Sequence, residues 1–285
     1  MMTGTPALPA LLEARAKEAR LVTWLSAQRS VLLGFSGGVD SAYLGCVAIA
    51  ALGPERVLAV IGRSPSYPAS QWAAARAVAD RFGLRVLEVD THEMDDPNYA
   101  ANPANRCYFC KSELWTVLGA IARERGITTL LDGTNADDLA DVRPGRRAGT
   151  ELGVHSPLAS VGLTKGEIRM LSEERGIPTW SHPSSPCLSS RLPYGTEVTI
   201  ARLQQVERAE RALRLLGVRG DLRVRYHGDL ARVEVPAAEV SAWLTPGRMK
   251  AMRVAVKSAG FARVAIDLRG FRSGSLNVLA GVASA

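Results

Sequence analysis

Val31-Leu32-Leu33-Gly34-Phe35 is a short apolar run that stops abruptly at Ser36-Gly37-Gly38, before a helix-forming stretch from Ser41. Three further strand-like runs follow, at 57–61, 85–89 and 128–132, with helical patterns at 69–82 and 111–125 between them. A helix over 8–28 precedes the series. Short apolar strands alternating with helices predict an α/β fold, a parallel sheet covered on both faces. Such sheets bind ligands beyond the carboxyl ends of their strands. The loops after Phe35, Ile61, Val89 and Asp132 are therefore the expected seat of the chemistry.

The rhythm changes near residue 195. Thr199 to Leu216 reads as an amphipathic helix, followed by two period-two runs, 222–226 and 231–235, joined at His227-Gly228-Asp229 as a hairpin. A helix over 246–259 and a strand over 262–268 complete a smaller α+β unit. The expected division is 1–195 and 196–285, with the segment Ser181-His182-Pro183-Ser184-Ser185-Pro186 either a linker or an active-site loop. The formal net charge of +7 fits an anionic partner, although the charges are scattered enough for an ordinary solvated basic surface. Charges interrupt every apolar stretch near the N-terminus, so neither a leader nor a membrane span is expected, and the expected location is the cytoplasm. Four cysteines, 46, 107, 110 and 187, are in that setting candidates for metal, cluster or reactive-thiol roles before disulfides. Cys46, in an apolar helix, reads as core.

The loop Gly34-Phe35-Ser36-Gly37-Gly38-Val39-Asp40-Ser41 follows a buried strand and opens a helix, which makes its backbone N–H groups an anion pocket. It lacks the lysine of a Walker A loop and the third glycine of a dinucleotide fingerprint. It resembles the SGGxDS loop of the PP-loop pyrophosphatases, which cleave ATP between the α and β phosphates. Further stretches are Asn105-Arg106-Cys107-Tyr108-Phe109-Cys110-Lys111, Asp132-Gly133-Thr134-Asn135-Ala136-Asp137-Asp138 with Asp141-Val142-Arg143-Pro144-Gly145, Pro186-Cys187-Leu188-Ser189-Ser190-Arg191, and Ile266 to Ser275. Together, over about residues 28–277, they resemble the LarE family of ATP-dependent sulfur transferases. Its product enters the nickel-pincer cofactor of lactate racemase.

That resemblance implies a Rossmann-like (HUP-type) ATP-binding domain and a smaller substrate-binding domain. It implies adenylation of a carboxylate on a nicotinate-derived mononucleotide, then replacement of AMP by sulfur. Ser36, Gly37, Gly38, Asp40 and Ser41 would bind the pyrophosphate end of ATP, with Mg²⁺ offsetting its charge. Lys111 is a candidate to reach the phosphates, and Asp132, Asn135 and Asp137 are candidates for nucleotide or metal contact. Cys187 matches the family's sulfur-donor position, with Arg191 beside it as a cation that favours thiolate. Arg223 and Arg225, on one strand face, and Glu210, in the preceding helix, are expected to hold the substrate phosphate or carboxylate. Arg269 and Arg272 are either further substrate cations or plain surface charge. Tyr108, Phe109 and Trp115 could stack on a ring or merely pack.

Cys107 and Cys110 leave two readings of the sulfur source open. Cys187 alone would be a sacrificial donor. With Cys107 and Cys110 it would make a three-thiolate set for a [4Fe–4S] cluster with one open iron, the version that the presence of three cysteines favours. A structural zinc on Cys107, Cys110, Cys187 and His182 is the rival use of the same thiols. The rival enzyme is a PP-loop tRNA thiolase, disfavoured because no appended RNA-binding module is visible. A non-catalytic nucleotide sensor is the other alternative. The expected partner is a small-molecule mononucleotide rather than nucleic acid or membrane, and the family implies a homo-oligomer.

Overall fold

A computed structural model describes residues 8–139, 144–183 and 185–272. The first half alternates strand and helix: α1 Leu8–Ser26, β1 Val31–Gly34, α2 Val39–Leu52, β2 Val57–Arg63, α3 Ala69–Phe82, β3 Arg85–Asp90, α4 Pro97–Ala100, α5 Arg106–Glu124 and β4 Thr129–Leu131. Helices α6 Pro144–Glu151, α7 Pro157–Ser160 and α8 Lys165–Glu174 follow. The four strands form a parallel sheet in the order β3-β2-β1-β4, with Val31 opposite both Val57 and Thr129, and Leu58 opposite Arg85.

The central strands β1 and β2 are buried on both faces, while the edge strand β3 is half-buried, and successive residues feed different cores. Val31, Leu33, Ala59, Ile61 and Leu131 cluster with α1, α2, α3 and α8. The alternate residues Leu32, Leu58 and Val60 cluster with Trp115, Leu118 and Ala122 of α5. Helix α2 is apolar on nearly every side, so only the buried centre of a layer can hold it. Each Leu or Val enclosed this way contributes about 1.5–3 kcal/mol.

The remaining elements are α9 Ile200–Leu215, β5 Arg223–His227, β6 Leu230–Glu234, α10 Val240–Trp243, α11 Pro246–Ser258 and β7 Arg263–Ile266. β5 and β6 pair antiparallel as the expected hairpin, and β7 adds to β6 in parallel. Leu203, Val206, Ala209 and Leu213 of α9 share one stripe and enter a core with Val224, Val233 and Phe261. Tyr99, Leu188 and Leu192 from the first part of the chain sit in that same core. α5 begins at Arg106 rather than near Lys111, so Cys107 and Cys110 lie on its first turn. Among the described residues no helix is long and apolar enough to cross a membrane.

Candidate functional site

β1 delivers the chain to Ser36 at the carboxyl edge of the sheet, and α2 starts at Val39. Between them the loop is folded on its own hydroxyls. The Ser41 hydroxyl donates to the Gly38 carbonyl at 3.1 Å and accepts from Ser36 N–H at 3.3 Å, with the two serine oxygens 3.2 Å apart. Tyr67 and Gln71 donate to the Ser36 carbonyl at 2.8 and 2.9 Å, turning that acceptor away from the loop's mouth. Gly37 sits at φ +69°, and a methyl there would lie 2.5 Å from the Ala75 Cβ. Only glycine takes this backbone without strain. Gly38, at the N-cap of α2, has no side-chain cap, so the helix presents bare N–H groups to an anion.

The loop after β4 closes onto this turn. A Cβ on Gly133 would stand 3.0 Å from the Ser41 nitrogen, so glycine permits the close approach. Asp132 accepts from Thr134, and Asn135 accepts from the N–H groups of Asp137 and Asp138 while its amide reaches Asp40 at 3.5 Å. Lys165, the first residue of α8, completes the arrangement. Its ammonium is ion-paired with Asp40, and its N–H donates to Asp137 at 2.8 Å. Burial pushes the Asp40 carboxyl up, against the pull of Lys165. A lysine therefore does stand at the loop, supplied from far along the chain. The sequence marks only the helix start there: Thr164-Lys165-Gly166-Glu167 is a capping box, with both reciprocal hydrogen bonds present. The expected Lys111 is exposed, its ammonium 5.9 Å from the centre of the Trp115 ring. Trp115 itself is core, packed beneath Gly34. Asp141, Val142 and Arg143 lie outside the described residues, as do Ser184 and Ser273 to Ser275.

Cys187 caps the short 3₁₀ turn Leu188–Arg191 and is half-buried. Leu188 N–H donates to the Ser66 carbonyl at 2.7 Å, tying this segment to the loop after β2. Tyr99 and Ser189 share a hydrogen bond at 2.7 Å. Arg106 is buried and bonds Asn102 and, at 3.2 Å, the Ser189 carbonyl. Burial works against the Arg106 charge, yet Cys187, Cys107 and Tyr99 hold its titration above the ordinary range. Arg106 is thus one cation of the sulfur pocket, and Lys111, which pulls the Cys107 and Cys110 thiols down, is another. The expected partner, Arg191, has another task. It is 2% exposed, forks onto Glu210 at 2.9 and 3.0 Å, and donates to the Pro186 and Cys187 carbonyls at 2.5 and 3.1 Å. Its charge is matched by Glu210, and its bonds to the two carbonyls hold the Cys187 loop in shape.

Cys107 and Cys110 join Cys187 in one neighbourhood. Burial, then the charge of Cys187, push the Cys107 thiol up; Cys110 is raised by burial first and then by Glu93. Among the described residues no three His, Cys, Asp or Glu side chains stand as a metal-holding group. As arranged, the thiols fit neither the expected [4Fe–4S] set nor a zinc with His182. Cys46 is core, its thiol pushed up to about 12 by burial.

Glu210 ties the Cys187 loop to the second sheet, since its Oε1 also accepts from Val224 N–H of β5 at 3.0 Å. Arg223 and Arg225 are 3% and 6% exposed, on one face of β5 as expected. Arg223 stacks 4.8 Å from the Phe271 ring centre, and burial and the Arg191 charge lower its titration to about 10. Arg225 pairs with Glu234 at 2.9 Å and donates to the Ser190 carbonyl at 2.9 Å, three residues from Cys187. The expected substrate arginines therefore border the Cys187 loop. Arg269 pairs with Asp267 at 3.4 Å, and Arg272 is exposed.

The family model described as NAD synthase matches residues 19–107, the segment that holds the phosphate loop. An uncharacterized protein of Synechocystis is 43% identical over 86% of this chain and 91% of its own. The pyridinium-3,5-bisthiocarboxylic acid mononucleotide synthase of Lactiplantibacillus plantarum is 34% identical over 92% of this chain and 94% of its own. A glutamine-hydrolyzing GMP synthase of Latilactobacillus sakei is 27% identical over 65% of this chain and 39% of its own. A phosphate loop of this geometry, with near full-length identity to a synthase, shows that the chain is an enzyme of the ATP-utilising PP-loop superfamily and belongs within it to the pyridinium-3,5-bisthiocarboxylic acid mononucleotide synthase (LarE) family.

Proposed function

We propose that the protein adenylates a carboxylate of a nicotinate-derived pyridinium mononucleotide and then replaces AMP by sulfur, toward a nickel-pincer cofactor. A carboxylate oxygen attacks the α-phosphorus of ATP and pyrophosphate leaves. Backbone N–H groups at Gly37 and Gly38, the Ser36 and Ser41 hydroxyls, and Lys165 receive the charge of the leaving group. Mg²⁺ arriving with the nucleotide would be held at Asp40, once Lys165 turns from that carboxylate to phosphate, and would offset phosphate charge. The Cys187 sulfur then attacks the acyl carbon and AMP leaves, giving a thioester. Loss of the Cys187 Cα proton and cleavage of its Cβ–S bond free the thiocarboxylate and leave dehydroalanine. Arg223 and Arg225 hold the phosphate of the mononucleotide, with the chain acting in the cytoplasm as a homo-oligomer and folding as units 1–195 and 196–285.

The observation that carries this reading is the Leu188–Ser66 hydrogen bond of 2.7 Å, which ties the Cys187 loop to the carboxyl edge of the sheet that bears the phosphate loop. The test is Cys187→Ala with nicotinic acid mononucleotide and its carboxylated analogues. Substrate-dependent ATP–pyrophosphate exchange should persist, while thiocarboxylate formation should be abolished. Unimpaired thiolation by Cys187→Ala would remove Cys187 as the donor. In the unaltered protein, one turnover should lower the chain mass by about 34 Da, one hydrogen sulfide. Repeated turnover at constant mass would assign the sulfur to another source.

A further inference from the structure

Glu93 lies just beyond β3, at the same carboxyl edge of the sheet, and is only 2% exposed. Its Oε1 accepts from the Ser64 and Ser66 hydroxyls. Its Oε2 is buried and accepts no hydrogen bond. Among the described residues no ion pair to Glu93 is formed. A buried carboxylate with neither cation nor full hydrogen bonding is costly, and proteins seldom keep one without a use.

Glu93 reaches the Cys187 loop through Ser66. Ser66, which donates to Glu93, also holds Leu188 N–H on its carbonyl, one residue from Cys187. The proposed reaction makes no use of Glu93. A lysine or arginine partner would satisfy Oε2 with an N–H donor. A quaternary ring nitrogen has no N–H; it needs only a nearby opposite charge in a low-dielectric site.

We infer that Glu93 is the counter-ion for a cationic aromatic ring, and that this carboxylate makes the site select a pyridinium substrate over a neutral ring of the same shape. The inference rests on the proposed reading that the substrate is a pyridinium mononucleotide, and it names what recognises the ring. The phosphate end would be held by arginines, while the ring end is held by an anion.

Calorimetric binding of two probes to the full chain tests this: nicotinic acid mononucleotide, whose ring is charged, and its 1,4-dihydro form, whose ring is neutral on the same sugar phosphate. The unaltered protein should prefer the charged ring by on the order of tenfold. Glu93→Gln, nearly the same shape, should lose that preference and keep its affinity for the dihydro form and for ATP. Equal affinity of the unaltered protein for both probes would overturn the inference without any variant, as would a preference that survives in Glu93→Gln. Binding of neither probe would overturn the proposed function, and the role of Glu93 with it.

Discussion

Lys165 shows how a single side chain completes a site from a distance. Its ammonium pairs with Asp40 of the phosphate loop while its N–H holds Asp137 of the facing loop. Lys165→Ala should slow ATP–pyrophosphate exchange on the order of 10²-fold, the usual consequence of removing one donor from a developing anion. An unchanged exchange rate would reduce Lys165 to a structural tie. The loop residues Ser36, Gly37, Gly38, Asp40 and Ser41 were legible because their spacing is local and their chemistry is set by one turn. Lys165 was not, because nothing local tells a lysine at a helix start which loop it will meet. Glu93 escaped for the same reason, since a buried oxygen left without a donor is a property of three dimensions.

At the scale of elements, the phosphate turn and the start of α8 are the stressed parts. Gly37→Ala should destabilise the protein by at least about 1–2 kcal/mol from the left-handed backbone alone. The added contact with Ala75 should weaken ATP binding as well, read by chemical denaturation and nucleotide titration. The capping box of α8 gives a pH signature. Burial opposes ionisation of Glu167, but hydrogen bonds from Lys17 and Thr164 outweigh it and hold the carboxyl below its ordinary range. Its contribution is therefore present above the ordinary carboxylate range and is lost as pH falls through the lowered one. Glu167→Gln should lower the urea midpoint at neutral pH, and the gap from the unaltered protein should close on acidification. A gap independent of pH would show that ionisation is irrelevant there. Strand and helix identities in the first half were legible from period and length. The start of α5 is not legible in Asn105-Arg106-Cys107-Tyr108-Phe109, which has no strong helix signal; in the fold buried Arg106 stands at its first position, bonded to the Ser189 carbonyl of the Cys187 loop.

Across the whole molecule, the parts that carry the two sheets are joined by several ties, among them a buried ion pair, a shared core and the Ala69 N–H to Glu207 hydrogen bond of 2.7 Å. Arg191 and Glu210 join the Cys187 loop to α9 and β5, and Tyr99, Leu188 and Leu192 fill the core of the second sheet. Glu210→Ala leaves the Arg191 charge buried without its partner, a cost of about 3–5 kcal/mol. Its melting temperature should fall, and thiolation should fall with it as the Cys187 loop loses its support. Normal stability with lost thiolation would instead make Glu210 a substrate contact alone. The division proposed at 195/196 follows the change of rhythm in the sequence, yet the second core draws side chains from before it.

The sequence by itself determined what depends on neighbours along the chain: the parallel sheet, the hairpin, the phosphate turn with its glycines, and the family through the order of its motifs. Tertiary structure alone decided which charges meet. It gave Arg191 to Glu210 and the loop carbonyls, set Arg106 beside the thiols, sent Lys165 to Asp40, and left Glu93 with a buried oxygen unmatched. Backbone geometry and hydrophobic period act over a few residues, so a sequence displays them directly. Ion pairing and burial act through space between segments far apart in the chain, so only the folded arrangement reveals them.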